Sequence, residues 1–214
     1  MTLGSAQTKR YLEIVEHYEA CLAKHGDTHL GMDWPNARDA ETRYRVMLEV
    51  IRKPAPPVVS LLDFGCGGSH LYKYMNAKDF SGIEYTGLDV SPKFVELSRK
   101  KFPQNRYICA DILEEPEAVS SFDYIVMNGV FTEKRGLTFE EMLAYFERTL
   151  SAVFPKACVG IAFNVMSKHV DWERDDLFHL PFDTLARFLT ASLTRNFVIR
   201  NDYGLYEYTT YVYR

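Results

Sequence analysis

Asp63, Asp89 and Asp111 each stand at the C-terminal end of a short, mostly apolar segment: Leu61-Leu62-Asp63, Gly87-Leu88-Asp89 and Cys109-Ala110-Asp111. After the first comes Gly65-Cys66-Gly67-Gly68, whose glycines let the chain turn sharply and let a ligand lie against the backbone. An ionised carboxylate only accepts hydrogen bonds, so the set suits a ligand that brings donors. An ammonium fits beside the glycine turn at Asp63. A pair of ribose hydroxyls fits Asp89, which lies 21 residues after Gly68, and an adenine amino group fits Asp111. One strand-end Asp is an ordinary turn former or helix cap. Three facing one crevice point to a ligand.

The elements that must hold these residues follow from periodicity. Residues 8–24 place Tyr11, Ile14, Val15, Tyr18 and Leu22 on one helical face, and residues 39–51 read as a second helix burying Tyr44, Met47, Leu48 and Ile51. Lys53-Pro54-Ala55-Pro56-Pro57 then breaks the chain. From there strands and helices alternate. Strands are expected at Val58–Phe64, Tyr85–Val90, Arg106–Ala110, Phe122–Met127 and Ala157–Val165. Ser91-Pro92 and Thr138-Phe139-Glu140-Glu141 open helices as an N-cap with N1 proline and as a capping box. Asp183 is expected to cap a further helix, and Phe197–Tyr203 with Tyr206–Tyr213 to form a closing hairpin around Gly204. In that hairpin Tyr206 and Tyr208 fall on one face and Tyr211 and Tyr213 on the other, as expected of a strand covered on both sides.

This order predicts an α/β fold: a doubly wound, mostly parallel sheet with a C-terminal antiparallel hairpin. Residues 1–57 are expected to form a helical cap belonging to the same domain as the core at 58–214. In such sheets ligands bind beyond the strand C-termini, where the three acids lie.

Composition narrows the partners. The chain has 214 residues, 47% hydrophobic and 25% charged, with a net charge of −4, which argues against a nucleic-acid partner. Cys21, Cys66, Cys109 and Cys158 form no CxxC pair. They are read as reduced thiols of a cytoplasmic protein, the two in predicted strands acting as small buried hydrophobes. The N-terminus lacks a signal-peptide pattern, and the longest apolar stretch, around Ala157–Met166, is too short to span a bilayer. No membrane association is expected.

Taken together, these motifs resemble the class I S-adenosylmethionine-dependent methyltransferases. Asp63-Phe64-Gly65-Cys66-Gly67-Gly68 is similar to that family's acid-and-GxG turn, and Asp89 to its ribose-binding acid. Asp111 matches the acid beside the adenine, with Val90 or Ile112 against the ring. Phe122-Asp123-Tyr124-Ile125 through Val130-Phe131 is similar to the segment on the fourth strand that includes Asn128. The resemblance implies S-adenosylmethionine as cofactor, a Rossmann-like core, and Asp63, Gly65, Cys66, Gly67, Asp89, Val90, Asp111, Ile112 and Asn128 around it. Trp34 and Arg43, in the cap, are added by architecture, Arg43 to pair with the donor carboxylate. The chain departs from the commonest form at Gly68-Ser69, where a third glycine is usual one position later.

Two other readings stand beside it. A nicotinamide dinucleotide would use Asp89 equally well, but its G-x-G-x-x-G fingerprint meets His70 at the last position, and it leaves Asp63 and Asp111 unexplained. A non-catalytic, donor-binding regulatory subunit would keep the same residues.

The acceptor is less legible. A small molecule is favoured, by O- or N-methylation, because the [DNS]-P-P-[YF] motif of amino-methylating DNA enzymes is replaced by Met127-Asn128-Gly129-Val130. The loop 164–179 is long and rich in functional side chains, and with the cap it is the expected acceptor wall. His169 and His179 are its base candidates, and Lys168 and Arg174 its anion-holding candidates. No histidine pair lies at metal-ligand spacing on a predicted helix, so no metal is expected, and oligomeric state is left open.

Overall fold

The computed structural model describes residues 9–53 and 57–214. Helices α1 (Leu12–His25) and α2 (Ala37–Leu48) precede the sheet. Then follow β1 (Val59–Phe64), α3 (His70–Ala77), β2 (Ile83–Asp89), α4 (Pro92–Lys101), β3 (Arg106–Cys109), β4 (Phe122–Phe131), α5 (Phe139–Val153), β5 (Ala157–Met166), α6 (Phe182–Phe188), β6 (Phe197–Arg200) and β7 (Glu207–Tyr213). The proline-rich junction falls partly outside the described residues, at 54–56.

The seven strands lie in the order β3-β2-β1-β4-β5-β7-β6. The first five are parallel, β7 runs antiparallel to β5, and β6 antiparallel to β7. The expected Rossmann-like architecture is therefore present. β1 has β2 on one side and β4 on the other, so the strand order reverses beside it. That reversal opens a crevice at the C-terminal ends of β1 and β4.

Strands β1, β2, β4 and β5 each feed two cores. Leu62, Leu88, Ile125 and Phe163 pack with α1, α5 and α6, whereas Leu61, Tyr85, Val126 and Ala162 pack with α2, α3 and α4. The inserted strand β7 does the same. Tyr208 enters the first core and donates to Leu180 O at 3.0 Å. Tyr211 and Tyr213 enter the second, donating to Val46 O and Val50 O at the end of α2. Every residue of β7 is buried, as a strand covered on both sides requires.

Helix starts follow local chemistry. Ser91 Oγ accepts from Phe94 N, and Thr138 with Glu141 makes the reciprocal capping box. Asp183 does not cap α6: Pro181 holds the N-cap position and Asp183 sits inside the first turn, where its charge still suits the helix dipole. Cys109, the last residue of β3, and Cys158, the second of β5, are exposed, against expectation. Cys66 is the buried thiol. Ile51 lies beyond α2 and is half-buried, and Tyr206 lies outside β7 and is exposed. No helix among the described residues is long and apolar enough to cross a membrane.

Candidate functional site: a capped crevice and a second cavity

The glycine turn carries β1 into α3. Gly65 (φ +73°) has Val130 so close that an added Cβ would lie 2.6 Å from its side chain, so only glycine fits there. The amides of Gly65 and Cys66 both donate to Leu88 O, at 2.8 and 2.9 Å. Ser69, standing where the third glycine is usual, is left-handed at φ 55° and ψ 39°. Its fully buried hydroxyl lies 2.8 Å from Ser98 Oγ and 3.2 Å from the Tyr107 hydroxyl. This network offsets the roughly 1–2 kcal/mol that a side chain costs in that backbone region.

Asp63, Asp89 and Asp111 all line the crevice at these strand ends. Asp89 is tied on both oxygens, accepting from Gly67 N and from Ser91 N at 2.9 Å each. Burial pushes its carboxyl up to about 6, and the backbone donors pull against that rise. Asp63 accepts from the Tyr85 hydroxyl at 2.8 Å. Burial carries it up to about 7, with the Asp89 charge adding to the rise and the Tyr85 bond opposing it. Asp111 accepts from Leu113 N at 2.9 Å and from the Tyr11 hydroxyl. Gly65, Gly67, Cys66, Val90, Ile112, Asn128 and Trp34 also belong to the lining. Asn128 Oδ1 is buried without a hydrogen-bond partner.

α1 lies across this opening. Tyr11 reaches Asp111 at the end of β3, while Tyr18 donates to Gly129 O at 3.4 Å, at the end of β4. Glu19 accepts from Ser91 Oγ and Lys93 at the start of α4. Tyr11 also stacks on Tyr145 of α5 at 4.6 Å. The sequence marks Tyr11 and Tyr18 only as members of an apolar helical face, and Tyr85 only as part of a strand. Their hydroxyls became functional candidates once the fold set them against crevice groups.

Arg43 does not line the crevice. Its Nε donates to Glu207 Oε2 at 2.8 Å, and Glu207, in β7, is 1% exposed. A buried carboxylate so close outcompetes a more distant ligand for the guanidinium. Glu207 Oε1 accepts from Asn164 Nδ2 at 2.9 Å, and Asn164 Oδ1 accepts from Gly129 N at 2.7 Å. Arg43 also lies over the Trp34 ring at 5.2 Å. This network underlies a second cavity of about 370 Å³ between the cap, the loop after β5 and the segment before β7, a size typical of small-molecule sites. Tyr18, Trp34 and Gly129 line both cavities.

The two histidines differ. His169 is exposed, stacks on Phe182 at 5.3 Å and lines neither cavity. His179 does line the second cavity, but Nδ1 lies 2.6 Å from Ser167 O and Nε2 accepts from Arg174 N at 3.2 Å. Its donor and its lone pair are both taken by backbone, so neither histidine is placed as a base. Lys168 pairs with Glu173, and Arg174 with Asp176. Glu133, which no sequence motif marks, lines the second cavity and is buried. Its only sequence signal is its place just beyond β4.

His17, Cys21 and Asp33 also converge. His17 Nε2 lies 2.7 Å from Asp33 Oδ2, a direct hydrogen bond. Two ligands at about 2.0–2.2 Å from a zinc ion stand farther apart than that.

A family model described as a methyltransferase domain matches residues 62–154. A Mycobacterium tuberculosis protein described as a methyltransferase is 32% identical over 158 residues, 72% of this chain and 92% of its own. Among solved structures, magnesium protoporphyrin IX methyltransferase of Synechocystis with bound S-adenosylhomocysteine shares the fold at a TM-score of 0.65 and 15% identity, over 95% of this chain and 99% of that one. Human N-acetylserotonin methyltransferase with S-adenosylmethionine gives 0.63 and 15%, over 96% of this chain and 62% of that one. With a relative at such identity spanning most of both chains, on a fold shared with enzymes solved around the donor and its product, this chain belongs to the class I S-adenosylmethionine-dependent methyltransferases.

Proposed function

We propose that the protein transfers the methyl group of S-adenosylmethionine to an oxygen or nitrogen of a small molecule seated in the second cavity. The observation that carries this reading is the shared wall of Tyr18, Trp34 and Gly129, where an acid-lined crevice meets a cavity of small-molecule size. Residues 1–57 act as the cap and residues 58–214 as the core of one working unit.

The crevice residues fit the donor. Asp63 is a buried carboxylate whose hydrogen-bond partner is the neutral Tyr85 hydroxyl, which suits the donor's ammonium. Asn128 Oδ1, buried and unpartnered, offers that group a second acceptor. Asp89 uses one lone pair of each oxygen on Gly67 and Ser91, and the remaining pairs suit the two ribose hydroxyls. Asp111 serves the adenine amino group, with Val90 and Ile112 against the ring, while Gly65, Cys66 and Gly67 let the backbone approach closely. The bound cofactor supplies an electrophilic methyl on a sulfonium. The protein's part is to hold the acceptor close and aligned, which is worth about 7–11 kcal/mol.

Two solved relatives carry small molecules, magnesium protoporphyrin IX and N-acetylserotonin, in their names. The carboxylates of the second cavity disfavour a phosphate backbone, in keeping with the chain's net charge of −4.

Asp89→Ala tests the site. Charge-assisted bonds are worth about 1.5–3 kcal/mol each, so calorimetry should show donor affinity falling by about tenfold or more, with NADH not binding the wild type. Unchanged donor affinity, or NADH binding in preference, overturns the assignment.

A further inference from the structure

Glu133 sits just beyond β4, and a short bridge to Leu177 clamps its backbone to the loop after β5. It is 6% exposed, yet its side chain belongs to the wall of the second cavity. One nitrogen, Arg135 Nη1, serves both Glu133 Oε2 at 3.3 Å and Asp176 Oδ2 at 3.2 Å. Burial pushes the Glu133 carboxyl up, the nearby Asp33 and Asp176 charges add to the rise, and Arg135 opposes it. Among the described residues Arg135 is its hydrogen-bonding side-chain partner, which leaves Oε1 without one. A buried carboxylate with a raised affinity for protons, next to the wall shared with the donor crevice, is equipped to accept a proton.

The surroundings say from what. Five carboxylates and two guanidiniums line the cavity, so an anionic acceptor would be repelled. Most of these charges are already engaged within the protein: Arg43 with Glu207, Asp33 with His17, Arg174 with Asp176, and Asp171 with the Tyr206 hydroxyl. They offer fixed hydrogen-bonding edges. Trp172 and Tyr206, 70% and 60% exposed, add flat apolar faces. Flat faces flanked by fixed polar edges match a ring with C–H faces and hydroxyl rims. An amine fits less well: an acidic cavity holds it protonated, with its lone pair blocked, and it needs no base. An alcohol needs one.

We propose that the acceptor is a neutral polyhydroxylated ring, a sugar, and that Glu133 takes the proton of the hydroxyl being methylated. This rests on the donor and acceptor cavities assigned above. The hydroxyl oxygen forms the new bond to the methyl carbon, the carbon–sulfur bond breaks with its electron pair returning to sulfur, and the proton passes to the Glu133 carboxylate.

Both tryptophans of the chain, Trp34 and Trp172, line this cavity, so intrinsic fluorescence reports its occupant without turnover. With S-adenosylhomocysteine saturating, methyl glucoside, methyl mannoside and methyl rhamnoside are titrated at millimolar concentrations against phenethylamine. At least one glycoside is expected to quench and, with S-adenosylmethionine, to gain a methyl ether. Followed through the remaining Trp34 fluorescence, Trp172→Ala should raise the Kd of that glycoside about tenfold, equivalent to about 1.4 kcal/mol. Glu133→Gln should keep the quench and the donor affinity while turnover falls about a hundredfold or more. The proposal is overturned if no glycoside quenches, if phenethylamine quenches and is N-methylated instead, or if Glu133→Gln turns over normally. Donor calorimetry is read separately: a protein that binds no donor refutes the cofactor site, whatever the glycosides do.

Discussion

Arg43 of the cap and Glu207 of the inserted strand are paired at 2.8 Å across 164 positions of sequence. The pair ties the cap helix α2 to the strand inserted between β5 and β6, and it does so beneath the second cavity. Removing the arginine leaves a buried carboxylate with Asn164 as its remaining partner. Arg43→Ala is therefore expected to cost about 3 kcal/mol, measured by urea denaturation. Glu207→Gln, which keeps the shape and removes the charge, should cost less. Equal costs would show that the ion pair is not what holds the cap.

Donor binding should depend on pH through Asp63 and Asp89. Their carboxyls rise to about 7 and about 6, above the roughly 3.9 of an unfolded Asp. Without donor, the folded state holds the extra protons between about pH 4 and 7, and loses stability as pH rises through that window. A cationic donor favours the ionised carboxylates, so its stabilising effect should grow from pH 5 to pH 8. Thermal shifts with S-adenosylmethionine at the two ends check this; a larger shift at pH 5 reverses the sign and refutes it.

Ser69 separates backbone strain from hydrogen bonding. Ser69→Ala keeps the left-handed strain and loses the hydroxyl that meets Ser98 and Tyr107. It should destabilise by about 1–3 kcal/mol. Ser69→Gly loses the same bonds but relieves roughly 1 kcal/mol of strain, so it should be the milder variant. The reverse order in a chemical denaturation series would mean that the hydroxyl network does not offset the strain.

The histidines give a contrast between structure and catalysis. His179→Ala leaves Ser167 O and Arg174 N without their buried partner, so it should lower the melting temperature, with an expected cost of about 1–3 kcal/mol. His169→Ala, at an exposed position, should change stability by less than about 0.5 kcal/mol and leave turnover intact. A large loss of turnover in His169→Ala with donor binding retained would restore it as a base candidate.

Neighbouring residues alone carry the local grammar and its consequence for the donor. The Gly65–Gly67 turn needs backbone freedom that only glycine supplies beside Val130, and Ser91 and Thr138 cap the helices they precede. Strand ends at Asp63, Asp89 and Asp111 converge because alternating strands and helices wind one way. These are short-range properties, carried by neighbouring residue types and a fixed handedness. The acceptor side was decided only by tertiary structure. Arg43 looked available to the donor until Glu207, far along the chain, took it. His179 looked like a base until Ser167 and Arg174 used both its nitrogens. Glu133 looked like any acid after a strand until folding buried it beside Asp33 and gave it a share of one guanidinium. A side chain's role in a cavity depends on burial and on partners many residues away, and neither is encoded in its immediate neighbours.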